Sequence, residues 1–458
     1  MTTSGKHYLD WTYAYTCRLQ GTSAESSSFA SRLEECARRL DGEVRSGILP
    51  CITLPFRASL EAELPPVLER IRPYKHMIVL GIGGSALGAR ALQKAFFPAQ
   101  DRPGHNGPYI WIADNIDADT LEAWMGSLDP KDTVVLVISK SGGTIETMAQ
   151  YFLVRRWLVA SLGNAWKEHV VLITDEKSGE LRAEATRENL LSLPVPDYLG
   201  GRYSVLSAVG LLPAAFLGMD WKALLRGAAA QSAPLLDAPN MAVALARHPA
   251  WHLALWNREL LERGYDELIF FSYIPLWNYF GAWFSQLWAE SLGKNGKGSM
   301  PVPAVGVTDQ HSVNQMFLDG PRNKGCLFLT CNSLHKGPTF GEDVPPKWSW
   351  LADKRFGDLL LAEGLGTRMA LSSSQVPLVN IAMGAADEEA AGRLMQMCMI
   401  ATILTGWLLD INPIDQPAVE LGKRLANARL GAPGNEEEHK ALNAFLAREG
   451  GSGALQEL

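Results

Sequence analysis

The chain has 458 residues, 47% of them hydrophobic and 20% charged, with a formal net charge of −7 and a pI near 5.8. This describes a globular protein of two or three domains; it excludes a broad nucleic-acid surface, so any anion site has to be local. The cysteines at 17, 36, 51, 326, 331 and 398 form no C-x-x-C pair, which argues against a zinc ribbon or a disulfide framework and fits reduced thiols in the cytoplasm.

The N-terminus, MTTSGKHYLDWTYAY, lacks the basic-then-apolar layout of a signal peptide, and residues 1–60 read as helical and polar-faced. The run HMIVLGIG (76–83) predicts a buried strand that feeds GGSALGARALQKAFF, a Gly-rich turn opening a helix. GIGGSALG fits a dinucleotide fingerprint loosely, with Asp114 at the end of the next strand, and this keeps a nicotinamide-dependent oxidoreductase as an alternative. YIWIADN (109–115), TVVLVIS (133–139) and HVVLITD (169–175) continue the strands, with helical stretches between them. Alternation of this kind predicts an α/β fold with a parallel sheet between helices.

The third of these strands is followed by a loop carrying Ser139, Lys140, Ser141, Gly142, Gly143 and Thr144, then by a helix. The unpaired N–H groups and the positive end of such a helix attract anions, and three hydroxyls and a lysine add donors. The loop suits a phosphate; without G-x-x-x-x-G-K-[ST] it does not suit a nucleoside triphosphate, and an ordinary Ser/Gly turn has similar composition. The pattern pauses after LLSLPVP (190–196) and GGRYSVLS (200–207). In the second of these, Arg202 is either a surface arginine or a guanidinium aimed at developing negative charge. An Ala-rich helical zone extends to about 260.

A second alternating set follows: ELIFFSYI (267–274), VPAVGVTD (302–309), CLFLTCN (326–332) and LVNIAMG (378–384), with the same rhythm but no repeat of residues. The stretch Leu268–Ala289 is uncharged and long enough to span a bilayer, but Pro275 and its scattered polar residues favour a buried strand and a helix start. Glu290 lies at the end of that helix in AESLGKNG, with Gln286 one turn back. The negative helix end and apolar neighbours would disfavour its ionised form and suit a general base; an i,i+4 pair with Lys294 is the plainer alternative. His311, in GVTDQHSVNQMFLDGP, follows a strand end, where open α/β sheets place ligands. His248 and His252 have zinc-like spacing, but Pro249 stands between them where a zincin has its glutamate, so no metal site is expected there.

A long apolar helix is predicted from about 386 to 410 and another from about 416 to 429, where Gln416 and Lys423 share a face. Asn435 and Glu438 form a capping-box pattern for a last helix, which Gly450 and Gly451 stop.

Together and in order, GIGGSALG, VISKSGGTIET, GGRYSVLS, AESLGKNG, GVTDQHSVNQMFLDGP and NPIDQPAVELGK resemble the glucose-6-phosphate isomerase (phosphoglucose isomerase) family, in its bacterial form. The resemblance runs from residue 81 to 424. It implies two sugar isomerase domains, each an α-β-α sandwich around a parallel sheet: a helical segment 1–60, domains at 61–215 and 216–385, and C-terminal helices 386–458 that complete the site. It implies reversible conversion of glucose 6-phosphate to fructose 6-phosphate without metal or organic cofactor, as part of glycolysis and gluconeogenesis. By motif, Glu290 would move the proton between C2 and C1, Arg202 would stabilise the cis-enediolate, and His311 with Lys423 would open the sugar ring. Ser85, Ser139, Ser141 and Thr144 would hold the phosphate with the amide of Lys140, Gly84 would bind substrate, and Gln286 and Gln416 would contact the sugar or the intermediate. It also implies a cytoplasmic homodimer with shared active sites and no nucleic-acid or membrane partner. Ile414 and Ala418 depart from many members, and Ser141 with the Gly142–Gly143 pair departs from the Thr-rich animal loop; none of these removes a catalytic group. A non-catalytic sugar-phosphate-binding protein is the other alternative, against which Glu290, His311 and Lys423 speak.

Overall fold

The computed structural model describes residues 5–15 and 27–449; Cys17, Gly450 and Gly451 lie outside them. The helical reading of residues 1–60 needs one correction: Tyr8–Tyr13 is a strand, β1. Its sequence, YLDWTY, is rich in aromatics, which favour a pleated surface. It pairs antiparallel with the last strand of the chain, at Tyr8↔Ala382 and Leu9↔Ile381. The expected helix follows as Ser27–Arg45.

The first parallel sheet comprises β2 (His76–Leu80), β3 (Tyr109–Ala113), β4 (Thr133–Ile138), β5 (Val170–Asp175) and β6 (Leu191–Val195), in the order β3-β2-β4-β5-β6. Every residue of β4 is buried, as its β-branched run requires at the centre of a sheet covered on both faces. Strand β6 lies in LLSLPVP, after which the sequence pattern pauses; its Pro194 is tolerated because β6 is an edge.

The second sheet comprises β7 (Glu267–Ser272), β8 (Met300–Val305), β9 (Lys324–Cys331) and β10 (Leu378–Met383), in the order β1-β10-β9-β7-β8. Read from the other edge, this is the layout of the first sheet, with β1 in the place of β6. The shared rhythm in the sequence is therefore a shared topology, except that β1 makes the second sheet mixed. In both sheets the first strand takes the second on one side and the third on the other. That reversal opens a crevice at the strand C-termini, the customary ligand position in open α/β sheets. In the first sheet it lies between the ends of β2 and β4, which carry the Gly-rich turn and the Ser/Gly loop.

The stretch considered as a membrane span divides into β7, a 3-10 turn Pro275–Trp277 and the helix Asn278–Leu292. Among the described residues no helix is long and apolar enough to cross a membrane. Helix Asn278–Leu292 is apolar nearly all round because it packs on helix Leu87–Phe96 and on β8. It thereby joins the two sheets and carries Glu290. Helix Glu388–Leu408 is almost wholly buried and lies on helix Trp221–Leu236; a Cβ on Gly392 would stand 1.9 Å from the Leu224 carbonyl oxygen.

The first compact unit ends at Pro413 and the second is Ile414–Leu458. Within the second, a 3-10 turn Pro417–Val419 leads into helix Glu420–Arg429, and helix Glu436–Leu446 follows. The expected capping box does not form. Asn435 donates instead to the carbonyls of Ala432 and Pro433, and Glu438 is drawn to Arg424 Nε at 2.9 Å. This helix ends at Leu446, ahead of the glycines expected to stop it.

Candidate active site

The turn after β2 can be made only with glycine. Gly83 has φ +55°, and a Cβ there would stand 2.8 Å from Gln286 Nε2. A Cβ on Gly84 would stand 2.2 Å from the carbonyl carbon of Gly201. The turn is thus in backbone contact with the Gly201–Arg202 segment and touches the Glu290 helix. Ser85 closes it, its N–H donating to the Ile82 carbonyl at 3.1 Å.

Arg202 lies in a 3-10 turn, Gly201–Tyr203, and its side chain is 1% exposed. Its Nη1 donates to Glu290 Oε2 at 3.3 Å, and Gln286 Nε2 donates to Glu290 Oε1 at 2.7 Å. The apolar surroundings expected for Glu290 belong to the helix rather than to the carboxylate, which is 29% exposed and receives a guanidinium and an amide. Helical spacing reports what flanks a residue on its own helix; Arg202 arrives from 88 positions away. A part-exposed carboxylate beside a buried cation is the arrangement that moves a proton while negative charge grows next to it. Lys294 donates to the carbonyls of Ser291 and, more closely, Asn412.

In the loop after β4, the Ser139 and Thr144 hydroxyls lie 3.0 Å apart and the Gly143 N–H reaches Ser141 Oγ at 3.3 Å. Gly142 has φ +66°, and a Cβ there would meet the Leu181 nitrogen at 2.6 Å. Thr144 is the N-cap of helix Ile145–Leu162, so the loop stands at the positive end of an 18-residue helix. Lys140 Nζ donates to the Leu199 carbonyl at 3.1 Å, and burial lowers the lysine's pKa against the raising effect of Asp175 and Asp197. The loop adjoins the β2 turn: a Cβ on Gly81 would be 3.4 Å from the Ile138 carbonyl oxygen. Phosphate-type donors and a carboxylate–guanidinium pair therefore meet around one glycine turn.

The phosphoglucose isomerase family profile matches residues 70–337. The glucose-6-phosphate isomerase of Rubrobacter xylanophilus is 40% identical over 389 residues, 82% of this chain and 88% of its own length. That of Thermus thermophilus is 35% identical over 429 residues, 90% of this chain and 98% of its own. The chain belongs to the phosphoglucose isomerase family.

A solved structure of a hypothetical protein, also from Thermus thermophilus, superposes with a TM-score of 0.81 at 33% identity, covering 93% of this chain and 100% of that one. A glucose-6-phosphate isomerase from Chlamydia trachomatis shares the fold, with a TM-score of 0.67 at 24% identity over 84% of this chain and 76% of that one. An isomerase of sugar phosphates needs a grip on phosphate and a base beside a cation.

His311, Gln416 and Lys423, also suggested by the family blocks, lie on other segments of the chain. His311 is exposed at the end of a 3-10 turn, Thr308–His311, and makes no hydrogen bond or ion pair with Arg202, Gln286 or Glu290. The turn is firmly held: Asp309 accepts from the Val305 N–H and the Ser312 hydroxyl, both at 2.7 Å, and Gln310 accepts from the Tyr273 hydroxyl at 2.7 Å. In the second unit, Gln416 precedes the 3-10 turn Pro417–Val419 and Lys423 donates to Glu420 at 2.8 Å.

Sequence reading missed Tyr203 and Ser291, which hold Arg202 from behind. Each is the immediate neighbour of a residue singled out, Arg202 or Glu290. The dinucleotide alternative loses its acidic group. Both oxygens of Asp114 are engaged by Arg90, at 2.9 and 2.8 Å, so they are committed where a ribose would need them. Among the described residues no three His, Cys, Asp or Glu side chains gather as a metal set.

Proposed function

We propose that this chain interconverts glucose 6-phosphate and fructose 6-phosphate, with Glu290 as the base that carries the proton between C2 and C1. The observation that carries this is the Glu290 carboxylate held between Arg202 Nη1 at 3.3 Å and Gln286 Nε2 at 2.7 Å. The C2 proton is weakly acidic. Its removal needs a positioned base, and the oxygen that gains charge needs a fixed donor, here Arg202. Gly84, Ser85, Ser139, Lys140, Ser141 and Thr144 bind the phosphate, whose binding energy positions the reacting carbons. His311 and Lys423 act as the acid–base pair that opens the ring, and Gln286 and Gln416 contact the sugar or the intermediate. The reading needs neither metal nor organic cofactor, because Arg202 supplies the electrostatic stabilisation a metal would give.

The same reading takes 61–215 and 216–385 as the two sugar isomerase domains, with 386–458 completing the site. It makes the enzyme a cytoplasmic homodimer of glycolysis and gluconeogenesis in which His311 serves the partner's site. The exposure of His311 supports the dimer. So do Met316, Leu365 and Met369, which are 54%, 59% and 70% exposed on helices Asn314–Asp319 and Phe356–Ser373, two helices in contact beyond the His311 turn.

A coupled assay that follows glucose 6-phosphate formation from fructose 6-phosphate, on purified protein in chelator, tests the function. Sustained turnover is expected in both directions. Folded protein that leaves fructose 6-phosphate unchanged, or that needs a divalent ion to act, would overturn the reading.

A further inference from the structure

Arg202 is held in a closed circuit of hydrogen bonds. Its Nε–H donates to Ser291 Oγ at 2.7 Å and its Nη2–H to the Pro413 carbonyl at 2.8 Å. The Tyr203 hydroxyl donates to the same carbonyl at 3.1 Å and lies 2.9 Å from Ser291 Oγ. A guanidinium can only donate, so Ser291 accepts from Arg202. With the tyrosine proton committed to Pro413, the serine proton goes to the tyrosine oxygen. Each proton around the ring is then used once. The three side chains are buried, Arg202 at 3%, Tyr203 at 1% and Ser291 at 0% exposure, so water does not compete. Burial pushes the Tyr203 phenol up to about 12, which keeps its proton in place across the working pH range. Two of the three guanidinium nitrogens are thereby fixed, and the third, Nη1, faces Glu290.

We propose that Ser291 and Tyr203 are positioning residues that lock the plane of the Arg202 guanidinium, so that Nη1 is already aimed at the oxygen that gains charge as Glu290 takes the proton. This rests on the role of Arg202 given above. A planar cation on a long side chain stabilises a transition state only if its orientation is set before the reaction. Neither hydroxyl needs to meet the sugar; their effect is exerted through Arg202. Losing one of them loosens the guanidinium without removing its charge.

The test compares Tyr203→Phe and Ser291→Ala in two backgrounds, the native enzyme and Arg202→Ala. In the native background, kcat is expected to fall about 10- to 100-fold, the scale of a misplaced catalytic group. The KM for fructose 6-phosphate and the inhibition by inorganic phosphate should move by less than about twofold, because ground-state binding lies elsewhere. In the Arg202→Ala background neither change should lower kcat further. Native kcat in a folded Tyr203→Phe enzyme, or equal losses in both backgrounds, would overturn the proposal. Tyr203→Phe alone decides if Ser291→Ala does not fold. An Arg202→Ala enzyme with native kcat would sink the role of Arg202 itself, a separate failure.

Discussion

Glu290 accepts two hydrogen bonds, one on each oxygen, from Gln286 and from Arg202, and a glutamine in its place has an acceptor oxygen on one side only. Glu290→Gln therefore removes the proposed base and puts an amide N–H toward one donor, while leaving the proposed phosphate loop intact. We expect kcat to fall roughly 10²–10⁴-fold or more, with inhibition by inorganic phosphate unchanged. Turnover near that of the native enzyme would remove Glu290 from the role of base. The Ser139 and Thr144 hydroxyls lie 3.0 Å apart, and in the proposed reading they contact a part of the substrate that does not react. Replacing both by alanine should raise KM and weaken phosphate inhibition more than it lowers kcat, read from initial rates at varied phosphate. An unchanged KM with no phosphate competition would put the phosphate elsewhere.

The elements carry the site because several backbones come unusually close. Gly392 lets helix Glu388–Leu408 touch helix Trp221–Leu236, with room for no Cβ beside the Leu224 carbonyl. Gly392→Ala should cost about 1–3 kcal/mol, since neither helix can yield as a flexible side chain would. Urea unfolding should show an earlier midpoint; an unchanged one would mean that the helices slide apart freely. Such contacts also decide what the sequence could reveal. Strands β2, β4, β7 and β9 were legible because their apolar runs are local, and the glycine turn and Ser/Gly loop were legible because a strand end, glycines and a helix start fall in one short window. Strand β1 was hidden because its pairing partner lies at the far end of the chain. The shared order of the two sheets left only a rhythm, since topology constrains spacing more than residue identity. Glu290 was found by its motif and Gln286 by its place one turn back, but the pairing with Arg202, like the hydroxyls behind that arginine, depends on segments brought together only by folding.

At the scale of the whole molecule, the shared-site reading has a direct consequence. Glu290→Gln and His311→Ala, each nearly inactive, should complement one another when unfolded together and refolded, because each mixed dimer would hold one intact site. Random pairing makes about half the molecules mixed, so activity should return to about a quarter of the native value. Mixed dimers without recovered activity would show that both residues serve one site from one chain. Strand β1 has a consequence of a different kind, in the time order of synthesis. A ribosome adds roughly 5–20 residues per second, so the partner strand β10 emerges on the order of twenty seconds or more after Tyr8–Tyr13. Throughout that interval the strand YLDWTY has no edge to join, while the first sheet, made entirely from earlier residues than β7, can already assemble. A strand made long before its partner is thus among the last to be placed. Nascent chains halted before Leu378 should present Tyr8–Tyr13 to chaperones that bind aromatic, extended segments, and released chains should not.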